Sequence, residues 1–243
     1  MKRAFLALLL VLPAVAAPAS ADDQDFEGRR RELLEEVRAD VLYTSRALGK
    51  TELDPRVLAA LGRVPRHEFV PEEYRRYAYQ NRPLPIGHGQ TISQPYIVAI
   101  MTDLIEPDRE DIVLELGTGS GYQAAVLAEL VKKVYSIEIV PELAEVSPRV
   151  LARLGYENVQ TRLGDGYDGW QAHAPFDAIV VTAAAGHVPP PLIDQLKLGG
   201  RMIIPVGSPF SVQHLMLVTK SAAGEIRSRQ VLPVSFVPLT GDH

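Results

Sequence analysis

The sequence predicts an α/β protein: a Rossmann-like sheet with helices on both faces and an N-terminal helical cap. Two observations carry this. The apolar run Ile112–Leu116 breaks into Gly117-Thr118-Gly119-Ser120-Gly121 and then continues at helical spacing from Ala124 to Ala128. That order of buried strand, glycine turn and helix start opens a nucleotide-binding βαβ unit. The second observation is alternation: short apolar runs alternate with helical segments from residue 112 to the C-terminal third, as in an open, largely parallel sheet.

The glycine spacing narrows the ligand. A dinucleotide turn has G-x-G-x-x-G, whereas Tyr122 stands where its third glycine would be, and the pattern is G-x-G-x-G with Glu115 two residues before it. This form suits a nucleoside with a carboxylate tail better than a pyrophosphate, and it disfavours an NAD-dependent dehydrogenase. The turn should let a cofactor approach bare backbone, and the helix start should add free N–H donors. The next strand, Val134–Ile139, carries Glu138 about 20 residues after the first glycine, where ribose hydroxyls need an acceptor.

The remaining elements follow in order. Met1-Lys2-Arg3, the apolar stretch Ala4–Val15 and Ala19-Ser20-Ala21 have the three parts of a secretory signal, with cleavage expected after Ala21. An uncleaved anchor would need a longer apolar core. The expected location is therefore exported, periplasmic, with the cytoplasm as the alternative. Residues 22–52 read as a helical extension, with Leu33, Leu34, Val37, Val41 and Leu42 on one side. Residues 53–243 read as the main domain. Asp54-Pro55 should cap and start a second helix, stopped at Val64-Pro65-Arg66. Residues 67–82, aromatic and charged, read as a cap on the core.

Leu84–Pro95 contains two prolines and two glycines, which excludes a regular element; it reads as a polar loop entering a helix at Tyr96–Ile105 by way of Pro95. Ser93 is either a site residue or the N-cap of that helix. Pro141–Leu154 should be a helix kinked or delayed by Pro148. Val159–Arg162 is a strand ending at Gly164-Asp165-Gly166, with Asp165 either a ligand to an adenine amino group or a turn residue. Asp177–Thr182 is a buried strand, Pro189–Leu198 a helix ended by Gly199-Gly200, and Arg201–Val206, Gln213–Lys220 and Gln230–Leu239 are the closing strands.

Composition limits the function. At 47% hydrophobic, 243 residues can bury one substantial core. The chain has 25 Lys+Arg against 30 Asp+Glu, and losing Lys2 and Arg3 with the leader makes it more acidic still. That balance argues against nucleic-acid binding. There is no cysteine, hence no disulfide, thiolate nucleophile or Cys-ligated zinc, and the histidines have no metal-ligand spacing. Ser93 lacks the G-x-S-x-G setting of an acyl-transfer nucleophile.

Taken together, Leu84–Pro95, Leu114–Gln123, Gly164-Asp-Gly166, Pro175–Ala184, Gly199-Gly-Arg201 and Phe236–Thr240 resemble the protein-L-isoaspartate O-methyltransferase family, in order and over Leu53–Gly241. The glycine loop alone indicates only a methyltransferase; Thr91-Ile92-Ser93 is the specific part. The resemblance implies S-adenosylmethionine over Gly117, Thr118, Gly119 and Gly121, with Glu115 beside that loop, Glu138 at its ribose, and Asp165 and Gly166 at its adenine end. Ile92 and Ser93 are implied near the methyl donor, with Ser93 as the active-site serine, and Thr240 near cofactor or substrate. The implied partners are isoaspartyl proteins and peptides, with no nucleic acid and no membrane once the leader is cleaved; a monomer is expected. Pro148, the leader, and Ser235 in place of an arginine found in many relatives depart from the pattern. Two alternatives remain: a methyltransferase for another carboxylate or a small-molecule acceptor, and a non-catalytic exported binding protein on the same scaffold.

Overall fold

The computed structural model describes residues 21–208 and 212–241. The expected leader, residues 1–21, lies outside the described residues apart from Ala21, which opens the first helix. That helix, α1 (Ala21–Tyr43), is followed by α2 (Ser45–Leu48) and α3 (Pro55–Arg63). The Asp54 side chain caps α3 by accepting from the Arg56 amide at 2.8 Å. Along α1, Leu33, Val37 and Val41 are buried, at i, i+4 and i+8. Leu42, expected on the same side, is 61% exposed: it lies one residue beyond the stripe.

Residues 66–82 form two short 3-10 turns (Arg66–Phe69 and Glu72–Tyr77) that lead into an unexpected hairpin, β1 (Leu84–Gly87) and β2 (Gln90–Ile92). The two prolines and two glycines do not exclude regular structure here. Pro85 pairs with Thr91 in an isolated two-stranded ribbon, where a missing donor is tolerated. Gly87, His88 and Gly89 all have positive φ and make the turn. Helix α4 (Pro95–Leu104) follows.

The main sheet comprises β3 (Ile112–Leu116), β4 (Lys133–Glu138), β5 (Val159–Leu163), β6 (Phe176–Val181), β7 (Leu196–Val206), β8 (Gln213–Lys220) and β9 (Ile226–Val234). Its order is β5-β4-β3-β6-β7-β8-β9, parallel up to β7 and antiparallel beyond. Helices α5 (Tyr122–Ala128), α6 (Pro141–Arg153) and α7 (Pro190–Gln195) connect the strands. Alternate strand residues point to opposite faces. Val113, Val180 and Ile203 join the large core that includes α1 and α3–α6, whereas Leu114, Val181 and Ile204 pack with Trp170, Phe176 and Leu192 of α7.

Three predicted boundaries move. α6 runs unbroken through Pro148; buried Leu143, Ser147 and Leu151 hold it in place despite the lost hydrogen bond. The expected helix at 189–198 ends at Gln195, because Leu196 already pairs with Phe176 at the start of β7. The last strand ends at Val234, not Leu239. Beyond it, Gln213 holds the chain through both Phe236 backbone groups, at 2.6 and 3.0 Å. Residues 237–239 leave the ladder of β9 and pair instead with Ala184, beyond the end of β6.

Candidate active site

In chain order the sheet runs from β3 to β4 and β5, then reverses to place β6 on the other side of β3. Ligands of open α/β sheets bind at the C-terminal strand ends beside such a reversal. The loop after β3 lies there. Gly117 and Thr118 donate to the Ile137 carbonyl at 2.8 and 3.2 Å, and Gly121 donates to Thr118 at 2.7 Å. An open cleft lies over this loop.

The structure brings Ile92, Ser93, Gly117, Thr118, Gly119, Glu138, Gly166 and Thr240 to the wall of this cleft. Glu138 is 4% exposed, and each carboxylate oxygen is already oriented: one accepts from Gly119 N at 2.6 Å and the other from Val140 N at 2.8 Å. A carboxylate accepts about four hydrogen bonds, so it retains capacity for a pair of hydroxyls.

Three expected residues do not reach the wall. Glu115 is fully buried below the loop, bonded to the Ser136 hydroxyl, which in turn lies 2.6 Å from that of Thr118. Burial pushes its carboxyl up to about 8 against the Ser136 hydrogen bond. Through Ser136 it reaches Thr118 on the cleft wall. Gly121 caps α5, with Leu151 behind it. Asp165 folds back to accept from Tyr167 N at 2.8 Å, leaving Gly166 as the part of that turn on the wall.

The glycines also answer to packing. A Cβ on Gly117 would sit 2.4 Å from Thr182 Oγ1, and one on Gly166 would sit 2.6 Å from Leu116 Cδ2. Thr182 itself was not singled out by the sequence. It ends β6, lies 2.7 Å from the Gly117 carbonyl and lines the cleft; its place at the reversal of strand order was the available signal. Leu239 also lines the cleft, pinned by its amide to the Ala184 carbonyl at 2.7 Å.

Ser93 is not a helix cap: Gln94 precedes α4, without a side-chain cap bond. Instead Ser93 lies on the wall between the first cleft and a second, open groove, whose other walls include Pro83, Ile97 and Pro233–Val237. Thr91, Thr182 and Val237 line both spaces as well. Ser235, the departure from the expected arginine, borders the second groove.

Comparison with known proteins now decides the family. A profile described as "Protein-L-isoaspartate(D-aspartate) O-methyltransferase (PCMT)" matches residues 38–243. The chain belongs to this family. It is 62% identical over 240 residues to protein-L-isoaspartate O-methyltransferase 2 of Syntrophobacter fumaroxidans, covering 99% of this chain and 97% of that one. It is 55% identical to protein-L-isoaspartate O-methyltransferase 1 of Cupriavidus necator, covering 99% and 94%. A solved structure from Plasmodium falciparum, described as a putative protein-L-isoaspartate O-methyltransferase in complex with S-adenosyl-L-homocysteine, superposes with a TM-score of 0.70 at 25% identity, covering 87% of this chain and 98% of that one.

Proposed function

We propose that the chain methylates the free carboxylate of L-isoaspartyl residues in damaged proteins and peptides, with S-adenosylmethionine as donor. One observation beyond family membership carries the acceptor assignment. Among the described residues lining the two spaces, Glu138 is the only carboxylate, and there is no histidine or lysine. Glu138 is already oriented by two backbone amides, and among the described residues lining the two spaces no other carboxylate, histidine or lysine stands beside Ser93 as a general base. A hydroxyl or ammonium acceptor would need one. An isoaspartyl α-type carboxylate, with an ordinary pKa of about 3.5, is ionised at neutral pH and needs none.

The cofactor supplies an electrophilic methyl group on a sulfonium. The first cleft suits its nucleoside: Glu138 accepts from the ribose, Gly117, Thr118 and Gly119 present backbone, and Ile92, Gly166 and Thr240 close the walls. Asp165 supports its adenine end through the Gly166 turn, while Glu115 and Gly121 support the loop. The second groove takes the peptide. Ser93, on the shared wall, donates its hydroxyl to the acceptor carboxylate and holds one oxygen in line with the methyl group; its contribution is orientation. The resulting ester loses methanol as the neighbouring backbone nitrogen closes a succinimide, which water opens without the enzyme.

Residues 1–21 are read as a leader, so the mature chain is exported to the periplasm and has two parts, the extension 22–52 and the methyltransferase domain 53–243. Its basic start, apolar stretch and small-residue end support this reading; no helix among the described residues is long and apolar enough to cross a membrane. Mass measurement of the chain from fractionated cells tests it: an intact N-terminus in the cytoplasmic fraction rejects export.

The activity is tested with methyl-labelled S-adenosylmethionine and two peptides differing only in Asp versus isoAsp. Volatile label from the isoAsp peptide alone is expected. No label from either, with cofactor still bound, assigns another acceptor; no cofactor binding returns the chain to a non-catalytic scaffold.

A further inference from the structure

Arg66 is 0% exposed. A buried cation is costly unless its donors are well satisfied, yet no carboxylate of the described residues pairs with it. Its partners are backbone and an aromatic face, and its buried Nη1 has no hydrogen-bond partner. Nε donates to the Ala78 carbonyl at 2.8 Å, Nη2 donates to the Ser93 carbonyl at 2.8 Å and reaches Arg82 O at 3.4 Å, and the guanidinium lies 4.7 Å from the Tyr122 ring centre. Burial draws it down to about 10, so it stays charged at neutral pH. One side chain therefore grips the segment entering the hairpin, the residue leaving it, and the first residue of α5.

A second brace is Asn81, three residues after Ala78. Asn81 Oδ1 accepts from Tyr96 N at 3.0 Å, in the first turn of α4, where amides have no intrahelical partner. Asn81 Nδ2 donates to Asp40 of α1 at 2.8 Å. The Tyr96 hydroxyl also meets that of Thr44, just past α1. Ser93 and Gln94 belong to neither β2 nor α4, so no strand ladder or helical ladder fixes Ser93. These side chains do.

We propose that Arg66 and Asn81 are positioning residues for methyl transfer: they fix the backbone that presents the Ser93 hydroxyl, and through Asp40 they make α1 part of the substrate-side apparatus. This rests on the reading that Ser93 orients the acceptor carboxylate.

The test reverses one hydrogen bond. Asn81→Asp keeps an acceptor for Tyr96 N but sets a carboxylate against Asp40. Adding Asp40→Asn restores a donor–acceptor pair with the opposite polarity. In the full chain, Asn81→Asp should lower kcat on the isoAsp peptide about tenfold or more, with S-adenosylhomocysteine affinity unchanged by calorimetry. The double variant should recover most of the loss. A cavity-forming Arg66→Ala, if it folds, should lose turnover and regain part of it with added guanidinium. Wild-type turnover in Asn81→Asp, no recovery in the double variant, or an equal loss of cofactor affinity overturns the brace. Ser93→Ala is measured alongside: at full speed it overturns the reading of Ser93 itself, whereas a slow Ser93→Ala beside a normal Asn81→Asp overturns the brace alone.

Discussion

The two glycine-bearing loops that meet at Ser93 are built by different means. The loop at 117–121 is held by the strands on either side of β3: Ile137 and Glu138 take its amides, Ser136 reaches Thr118, and Thr182, just after β6, donates to the Gly117 carbonyl. The hairpin at 84–92 and its exit are held by side chains from elsewhere, Arg66 on Ser93 and Asn81 on Tyr96, with Asp40 of α1 behind. The first loop inherits its place from the strand order. The second is placed by individual polar contacts. Cofactor binding and carboxylate placement should therefore respond to different substitutions.

The largest expected separation comes from Glu138→Ala. It removes the acceptor for the ribose and the anchor for the Gly119 and Val140 amides, so cofactor affinity should fall about 100-fold, as for the loss of one or two charge-assisted hydrogen bonds. Isothermal calorimetry with S-adenosylhomocysteine checks it, and unchanged affinity removes Glu138 from the site. Ser93→Ala should act on the other side alone, with kcat down about tenfold to 100-fold for one hydrogen bond to a charged acceptor.

Gly117→Ala should cost stability rather than selectivity. The position has φ +91, and its Cβ would meet Thr182 Oγ1 at 2.4 Å; a loss of about 2 kcal/mol is expected in denaturant unfolding. A variant as stable as the parent would show that the loop can move away from β6.

The last effect is a pH slope. In the unfolded chain Glu115 releases its proton near 4.5, whereas in the folded chain it holds it up to about 8. Between these values the unfolded state has given up a proton that the folded state keeps, so raising the pH favours unfolding. Glu115→Gln removes that slope. Its melting temperature relative to wild type should rise from pH 5 to 8 and level off above; a constant difference would mean that Glu115 is ionised in the fold.

The same contrast explains what was legible in the sequence. Strand, glycine turn and acidic strand end are local patterns, and they led to Gly117, Gly119 and Glu138. Glu115 belongs to the same pattern, but a strand residue before the turn can point either into the cleft or under it, and spacing does not say which. The hairpin was obscured because its prolines and glycines read as breakers until Pro85 is seen in an isolated ribbon. Arg66 and Asn81 gave no signal: Arg66 reads as part of a helix stop, Asn81 lies in the charged, aromatic stretch that reads as a cap on the core, and their partners are 12 to 41 residues away. The segment 236–240 read as strand because its apolar residues continue the alternation, while Gln213 takes over the pairing and lets it turn toward the cleft.

One measurement tests the division most directly: Ser93→Ala, assayed for label release from the isoAsp peptide and for S-adenosylhomocysteine affinity in the same preparation. The account predicts turnover reduced by at least about tenfold with affinity unchanged. Loss of both together would contradict it, because the two halves of the site would then be one structure.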